Sequence, residues 1–264
     1  MSSIRAVNRR RRCALAALAL SGLLTTACAG SDQTGLGIDL VSEEQVQQMG
    51  AESWQRIRNE TPASDDQAAQ ETAHRVAGNL LQAAGENPDD WEVVVFEGEE
   101  ANAFALPGRK IGIYQGMLEV TQNDAQLAAV VAHEIGHLQA AHAEERVSSE
   151  VATQGAVQLV SAALQVGNVG YANAVAAALG AGAQYGVLLP YSRNQELEAD
   201  RIGLQLMAQA GYDPREALAF WQQMQQQGGQ EPPEFLSTHP GAGERIKQLE
   251  ELMPAALETY QSKA

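Results

Sequence analysis

Cysteine is nearly absent from this chain: Cys13 and Cys28 are the only two, and both fall within the first 28 residues. The chain beyond Cys28 can hold no internal disulfide, and it has no cysteines for a structural metal site of the usual thiolate-rich kind. Basic residues are scarce as well, 17 Lys and Arg against 33 Asp and Glu. Five of the 17, Arg5 and Arg9 to Arg12, stand at the very start, so the chain from Cys28 onward carries 12 basic and 33 acidic residues, a formal charge of −21. Such a surface argues against nucleic acid as a partner and against electrostatic docking on anionic lipid. Long hydrophobic runs are missing too. Ala14 to Leu24 is too short to span a bilayer comfortably. Residues 151–189 hold no charge, but Gln154, Gln158, Gln165, Asn168, Asn173, Gln184 and several glycines make a lipid-buried helix a poor reading. Two small-residue helices or a loop flanking a cleft suits that composition better.

The basic start and the short apolar stretch read as a secretory leader. Leu24-Thr25-Thr26-Ala27-Cys28 resembles a bacterial lipobox, with Thr25 where leucine is usual. Residues 1–27 are then the signal peptide, Cys28 the lipidated first residue, and 28–40 a tether. Ala29 after the cysteine leans towards the outer membrane of a Gram-negative cell, with lipid as the only membrane attachment. The alternatives are a soluble secreted or periplasmic protein, or a leader kept as an anchor. About 237 residues follow the leader, enough for one domain.

The most informative string present is His133-Glu134-Ile135-Gly136-His137. On a helix, positions i and i+4 lie one above the other, so the two imidazoles point the same way and can share one zinc ion. Glu134 beside them can take a proton from a zinc-bound water, which implies amide hydrolysis. The setting is helical: Gln126 to His142 has apolar residues at Leu127, Val130, Val131, Ile135 and Leu138, with Asn123 or Asp124 as N-cap. Zinc needs a third protein ligand. The extension with a third histidine is absent, since Ala140 and Ala143 stand where glycine and histidine would be needed. His142, five residues past His137, would sit about 140° round a continuous helix and is poorly placed as a ligand. A second helix, Asn194 to Gln209, offers Glu196 and Asp200 on one face, with Glu198 on another. Glu196 would bind the metal and Asp200 would accept a bond from the far nitrogen of a ligand histidine. The competing reading is a solvated acidic face flanked by Arg193 and Arg201.

HEIGH followed by ELEADRIG resembles the zinc metallopeptidase family that includes the CAAX prenyl proteases and HtpX, and within it the periplasmic BepA-like members. Asn102 to Leu118, Tyr191-Ser192-Arg193, Ser237-Thr238-His239-Pro240 and Glu244-Arg245-Ile246 are similar to further blocks of that family. Arg109 departs from it, standing where a second glycine is usual. The resemblance implies one zinc per chain held by His133, His137 and Glu196, with Glu134 as general base and Asp200 behind the ligands. It places His239 beside the metal, either covering the water position or stabilising the transition state; a turn or capping role is the alternative for Thr-His-Pro-Gly. Arg245 would contact a developing oxyanion, or pair with Glu244 or Glu250.

Trp91 to Phe96 and Arg109 to Tyr114 are strand-like, with a turn at Pro107-Gly108. The expected architecture is α+β and predominantly helical, a single metallopeptidase domain over 41–264. Its active-site helix packs with a small antiparallel sheet whose edge strand borders the zinc cleft. Such an edge would take a substrate in extended form. The expected activity is cleavage of unfolded or misassembled envelope proteins in the periplasm. A non-catalytic, chaperone-like module binding extended chains is the alternative, and the complete set around Glu134 counts against it. No room is left for a tetratricopeptide array, and oligomeric state is not legible.

Overall fold

The computed structural model describes residues 42–149, 191–227, 235, 237, 239 and 241–263. The leader, Cys28 and the tether lie outside these residues, as do the uncharged segment 151–189 and residues 228–234. Helix α1 (Glu43–Glu60) starts at Ser42, whose hydroxyl accepts from Gln45 N–H while the Gln45 side chain accepts from Ser42 N–H. This reciprocal pair satisfies two donors that a helix start leaves open. Helix α2 (Gln67–Ala83) is capped by Asp66 and buries Ala73, Val76, Ala77, Leu80 and Leu81, the one-faced spacing of a helix lying on a core. The break between the two helices falls at Thr61-Pro62, as a proline there requires.

Three strands follow: β1 (Glu92–Phe96), β2 (Ala103–Leu106) and β3 (Lys110–Tyr114), in the order β1-β3-β2. The sheet is mixed rather than antiparallel throughout. β1 and β3 run parallel, with Val93 opposite Ile111 and Val95 opposite Ile113, while β2 and β3 form the antiparallel hairpin. The short Ala-Phe-Ala-Leu strand occupies the outer edge, so the two strong apolar runs became neighbours without sharing a turn. At the hairpin turn Gly108 has φ 88° and Arg109 φ 66°. Position 109 thus takes the left-handed conformation that glycine adopts without strain, and Arg109 adopts it with a side chain.

Alternation across the pleat divides the sheet. Val93, Val95, Ala103, Ile111 and Ile113 face the main core. On the opposite face Phe104 fills the space above Gly112, where a Cβ would lie 2.3 Å from the ring, and Phe104 meets Trp54 of α1 edge-on at 6.1 Å. After the short helix α3 (Gln115–Val120), helix α4 (Asp124–Gln139) is capped by Asn123. Every residue of α4 from Gln126 to His137 is buried. A helix buried on all sides belongs at the centre of a fold. α2, β2, α5 (Arg193–Gln209) and α6 (Arg215–Gln227) surround it, and α7 (Ala242–Gln261) packs on α5 and α6. No helix among the described residues is long and apolar enough to cross a membrane.

α4 and α5 approach so closely because both carry glycine at the crossing. A Cβ on Gly136 would stand 2.7 Å from Ala199 O, and one on Gly203 would stand 2.9 Å from His133 N. Backbone cannot move aside as a flexible side chain can. Gly136→Ala is therefore expected to lose about 1–3 kcal/mol of stability by overpacking, despite the better helix propensity of alanine. Chemical denaturation of the metal-free protein measures this; a stabilised Gly136→Ala variant would show that the crossing has slack.

Candidate metal centre

The α4–α5 crossing carries the polar centre of the molecule. α4 presents His133, Glu134 and His137, α5 presents Glu196 and Asp200, and His239 and Arg245 approach from the C-terminal part; all seven are buried. Ring nitrogens of His133, His137 and His239 and a carboxylate oxygen of Glu196 lie within 4.8 Å of one another. His133 Nε2 is 3.0 Å from His137 Nε2 and 3.2 Å from His239 Nδ1. Glu196 Oε1 is 3.1 Å from His239 Nδ1 and 3.4 Å from His137 Nε2, and its Oε2 is 3.4 Å from His133 Nε2.

This donor set fits a metal ion. Glu196 Oε2 and Glu134 Oε1 are buried without a hydrogen-bond partner among the described residues. Buried carboxylate oxygens of that kind are costly unless a cation compensates them. Arg245 Nη1 lies 2.7 Å from Glu196 Oε2, yet the two are not aligned as a hydrogen bond. Three imidazoles and a carboxylate are borderline ligands of the type zinc takes.

The charges around the centre settle by proximity. Burial alone would raise the Glu196 carboxyl, but the imidazoles of His133, His137 and His239 gathered around it hold it far below the usual carboxylate range. Burial pushes His137 down to about 3, leaving its lone pair free. For His133, burial and Arg245 oppose protonation, and hydrogen bonds to Asp200 and Glu196 overcome them, up to about 9. Glu134 is shifted the other way: burial raises its carboxyl, opposed by His239, His133 and a hydrogen bond from Ala105 N–H. His239 Nε2 is 3.4 Å from Glu134 Oε1. His239 thus stands against both carboxylates.

Behind the ring of His133, Asp200 Oδ1 is 3.0 Å from Nδ1. In the neutral ring, an Nδ1–H donated to Asp200 would leave Nε2 bare towards the other donors. Arg245 in turn donates to Asp200 from Nε at 2.6 Å and Nη2 at 2.5 Å, and its guanidinium lies 3.7 Å above the Trp221 ring. Burial raises Asp200, but the charge and hydrogen bonds of Arg245 prevail and hold it down to about 2. Arg245 therefore pairs inward, with the α5 carboxylates, and the pairs expected with Glu244 or Glu250 do not form: Glu244 faces Arg193 at 3.5 Å. Glu198, on a different helical face, stays outside the cluster and exposed, with Oε2 3.6 Å from His142 Nε2.

Two residues by the centre were given no role there by the sequence reading. Tyr191 stacks on His137 with ring centroids 3.9 Å apart. His142 Nδ1 is 2.9 Å from His137 Nδ1. The helix expected to run unbroken through His142 ends at Gln139; Ala141 takes φ 55°, and a new helical segment covers 142–149. Only the tyrosine's place just before the Ser192 cap hinted at a site role. Nothing in the sequence marked Ala141 as the break.

The profile of peptidase family M48 matches residues 65–253. The mitochondrial metalloendopeptidase OMA1 of Schizosaccharomyces pombe is 36% identical over 185 residues, 69% of this chain and 52% of that protein. The mitochondrial metalloendopeptidase OMA1 of Bos taurus is 35% identical over 184 residues, 64% of this chain and 33% of that protein. The beta-barrel assembly-enhancing protease of Escherichia coli (strain K12) is 27% identical over 206 residues, 74% of this chain and 41% of that protein. The matches thus span between a third and about half of these relatives' own lengths.

The Asp200–Arg245 pair is buried on both sides, so breaking it leaves an ill-compensated guanidinium. Asp200→Ala is expected to cost about 3 kcal/mol in chemical denaturation of the metal-free protein. The double variant Asp200→Leu with Arg245→Met should recover part of that loss, since it also takes the guanidinium from Glu196. A double variant as unstable as the single one would show that the pair, rather than the stranded charge, holds the helices together.

Proposed function

The chain belongs to peptidase family M48, and from that premise we propose that it is a zinc-dependent endopeptidase acting on unfolded or misassembled proteins of the cell envelope. The observation that carries this reading is the convergence of three imidazoles and the Glu196 carboxylate beside a separate buried carboxylate, Glu134. A binding module or a structural metal site has no use for the second carboxylate.

His133, His137 and Glu196 would hold the zinc, with Asp200 and Arg245 fixing the orientation of His133. When bound, zinc supplies Lewis acidity towards the scissile carbonyl and lowers the pKa of water. Glu134 takes the proton of the attacking water and returns it to the departing amine, a task suited to a carboxyl whose pKa burial has raised. His239, within 3.4 Å of Glu134 and 3.1 Å of Glu196, stands where it either covers the water position or stabilises charge in the transition state. β2 is the edge strand of the sheet, and Ala105 N–H is directed at Glu134. A substrate laid along that edge in extended form would be held by backbone hydrogen bonds and bring its carbonyl towards the centre, with little demand on side-chain sequence. The leader and the lipobox-like Cys28 support delivery to the periplasm and a lipid anchor at the outer membrane.

Purified protein is expected to degrade an unfolded casein-like substrate, and Glu134→Gln to abolish this while keeping its zinc. Glu196→Ala and His137→Ala should lose the metal, measured by elemental analysis after dialysis. Equal cleavage by wild type and Glu134→Gln would place the activity elsewhere. Wild-type zinc affinity in Glu196→Ala would overturn the ligand assignment.

A further inference from the structure

His142 has no part in the chemistry set out so far, yet it is a buried histidine, 2% exposed, with one ring nitrogen 2.9 Å from His137. Its position is made by the backbone. α4 stops at Gln139, Ala141 adopts φ 55°, and the chain doubles back so that His142 faces the ring it has just left. A left-handed alanine is strained, and a continuous helix would have carried residue 142 round to another face. Strain held at such a turn needs a compensating contact, and the imidazole pair is the polar one this turn creates.

An ion held by His137 selects one arrangement of protons among these contacts. His137 turns Nε2 towards His133 and Glu196, so a lone pair directed at a metal must sit on Nε2, and the proton of neutral His137 on Nδ1. His142 Nδ1 then has to accept that proton's hydrogen bond, which puts its own proton on Nε2. His142 Nε2 faces Glu198 Oε2 at 3.6 Å, the partner such a proton would favour. The result is a directed line from Glu198 through His142 to His137. Asp200 serves His133 in the same sense from the other side.

We propose that His142 is a positioning residue of the metal centre: its Nδ1 accepts the Nδ1–H of His137, fixing the tautomer and ring orientation in which His137 Nε2 binds the ion. This rests on the zinc-site reading above. With Tyr191 stacked against its face and His142 at its edge, His137 has little rotational freedom left. Removing a hydrogen-bond partner of a metal-bound histidine typically weakens metal affinity about 10- to 100-fold.

The test is zinc affinity of the full chain, by competition with a chromophoric chelator, for wild type, His142→Ala, His142→Asn and His142→Phe. Asparagine sets its Oδ1 near the place of Nδ1, keeping an acceptor without the ring. Phenylalanine keeps the ring without an acceptor. The expected result is a loss of about 10- to 100-fold in the Ala and Phe forms, with most affinity restored by Asn. The cobalt(II) absorption spectrum should shift in the same two forms. If Phe retains wild-type affinity and Asn does not, His142 is packing alone and the inference falls. Equal affinity in all four forms overturns it as well. A wild type that binds no zinc overturns the site reading itself, a result distinct from the other two. The Asn and Phe forms decide the matter even where His142→Ala fails to fold.

Discussion

Two glycines at one helix crossing set the geometry on which everything else depends. With Gly136 on α4 and Gly203 on α5, the two backbones come within the distance of a single Cβ. Side chains projecting from each helix near the contact then meet without reaching. His133 and His137, and Glu196 and Asp200, are each spaced by one turn, so the two pairs interleave across the seam. A larger interaxial distance would leave the imidazoles and carboxylates too far apart to share an ion.

Bringing these groups together inside the protein creates an electrostatic problem, and the surrounding residues are arranged to solve it. Glu196, Asp200 and Glu134 are buried in a chain that is already strongly acidic. Arg245 neutralises Asp200 and lies on the Trp221 ring, which shields its charge from water without competing for its protons. Arg245 Nη1 also lies 2.7 Å from Glu196 Oε2 without forming an aligned hydrogen bond, so this oxygen, beside three imidazoles, stays open to a further cation. Folding and metal affinity are therefore two sides of one compensation.

The sheet contributes its edge. Ala103 and Ala105 are small and lie on the face turned towards α4, so β2 packs closely against the helix that carries Glu134. Helix α1 secures the far face through Trp54 and Phe104. The strand that would receive an extended chain is thus backed by aromatic packing, and its other side lies against the helix that carries Glu134.

Much of this was legible in the residues. Periodicity located α4, a cap at Asn123 or Asp124 marked its start, and one-turn spacing put His133 with His137 and Glu196 with Asp200 on common faces. Those are local properties, set by backbone hydrogen bonding and side-chain direction within a few residues. Pairing was not local. The strands of Trp91 to Phe96 and Arg109 to Tyr114 lie side by side and parallel because Ala103 to Leu106, too weakly patterned to stand out, takes the edge. Arg245 turned inward because Asp200 and Trp221, distant in sequence, surround it. His142 reached His137 because one alanine took a left-handed conformation that no propensity favours. The sequence by itself determined which helices form and which faces carry the chemistry. Tertiary packing alone decided which nitrogen meets which oxygen, because those distances depend on the close approach of segments that only the finished core holds together.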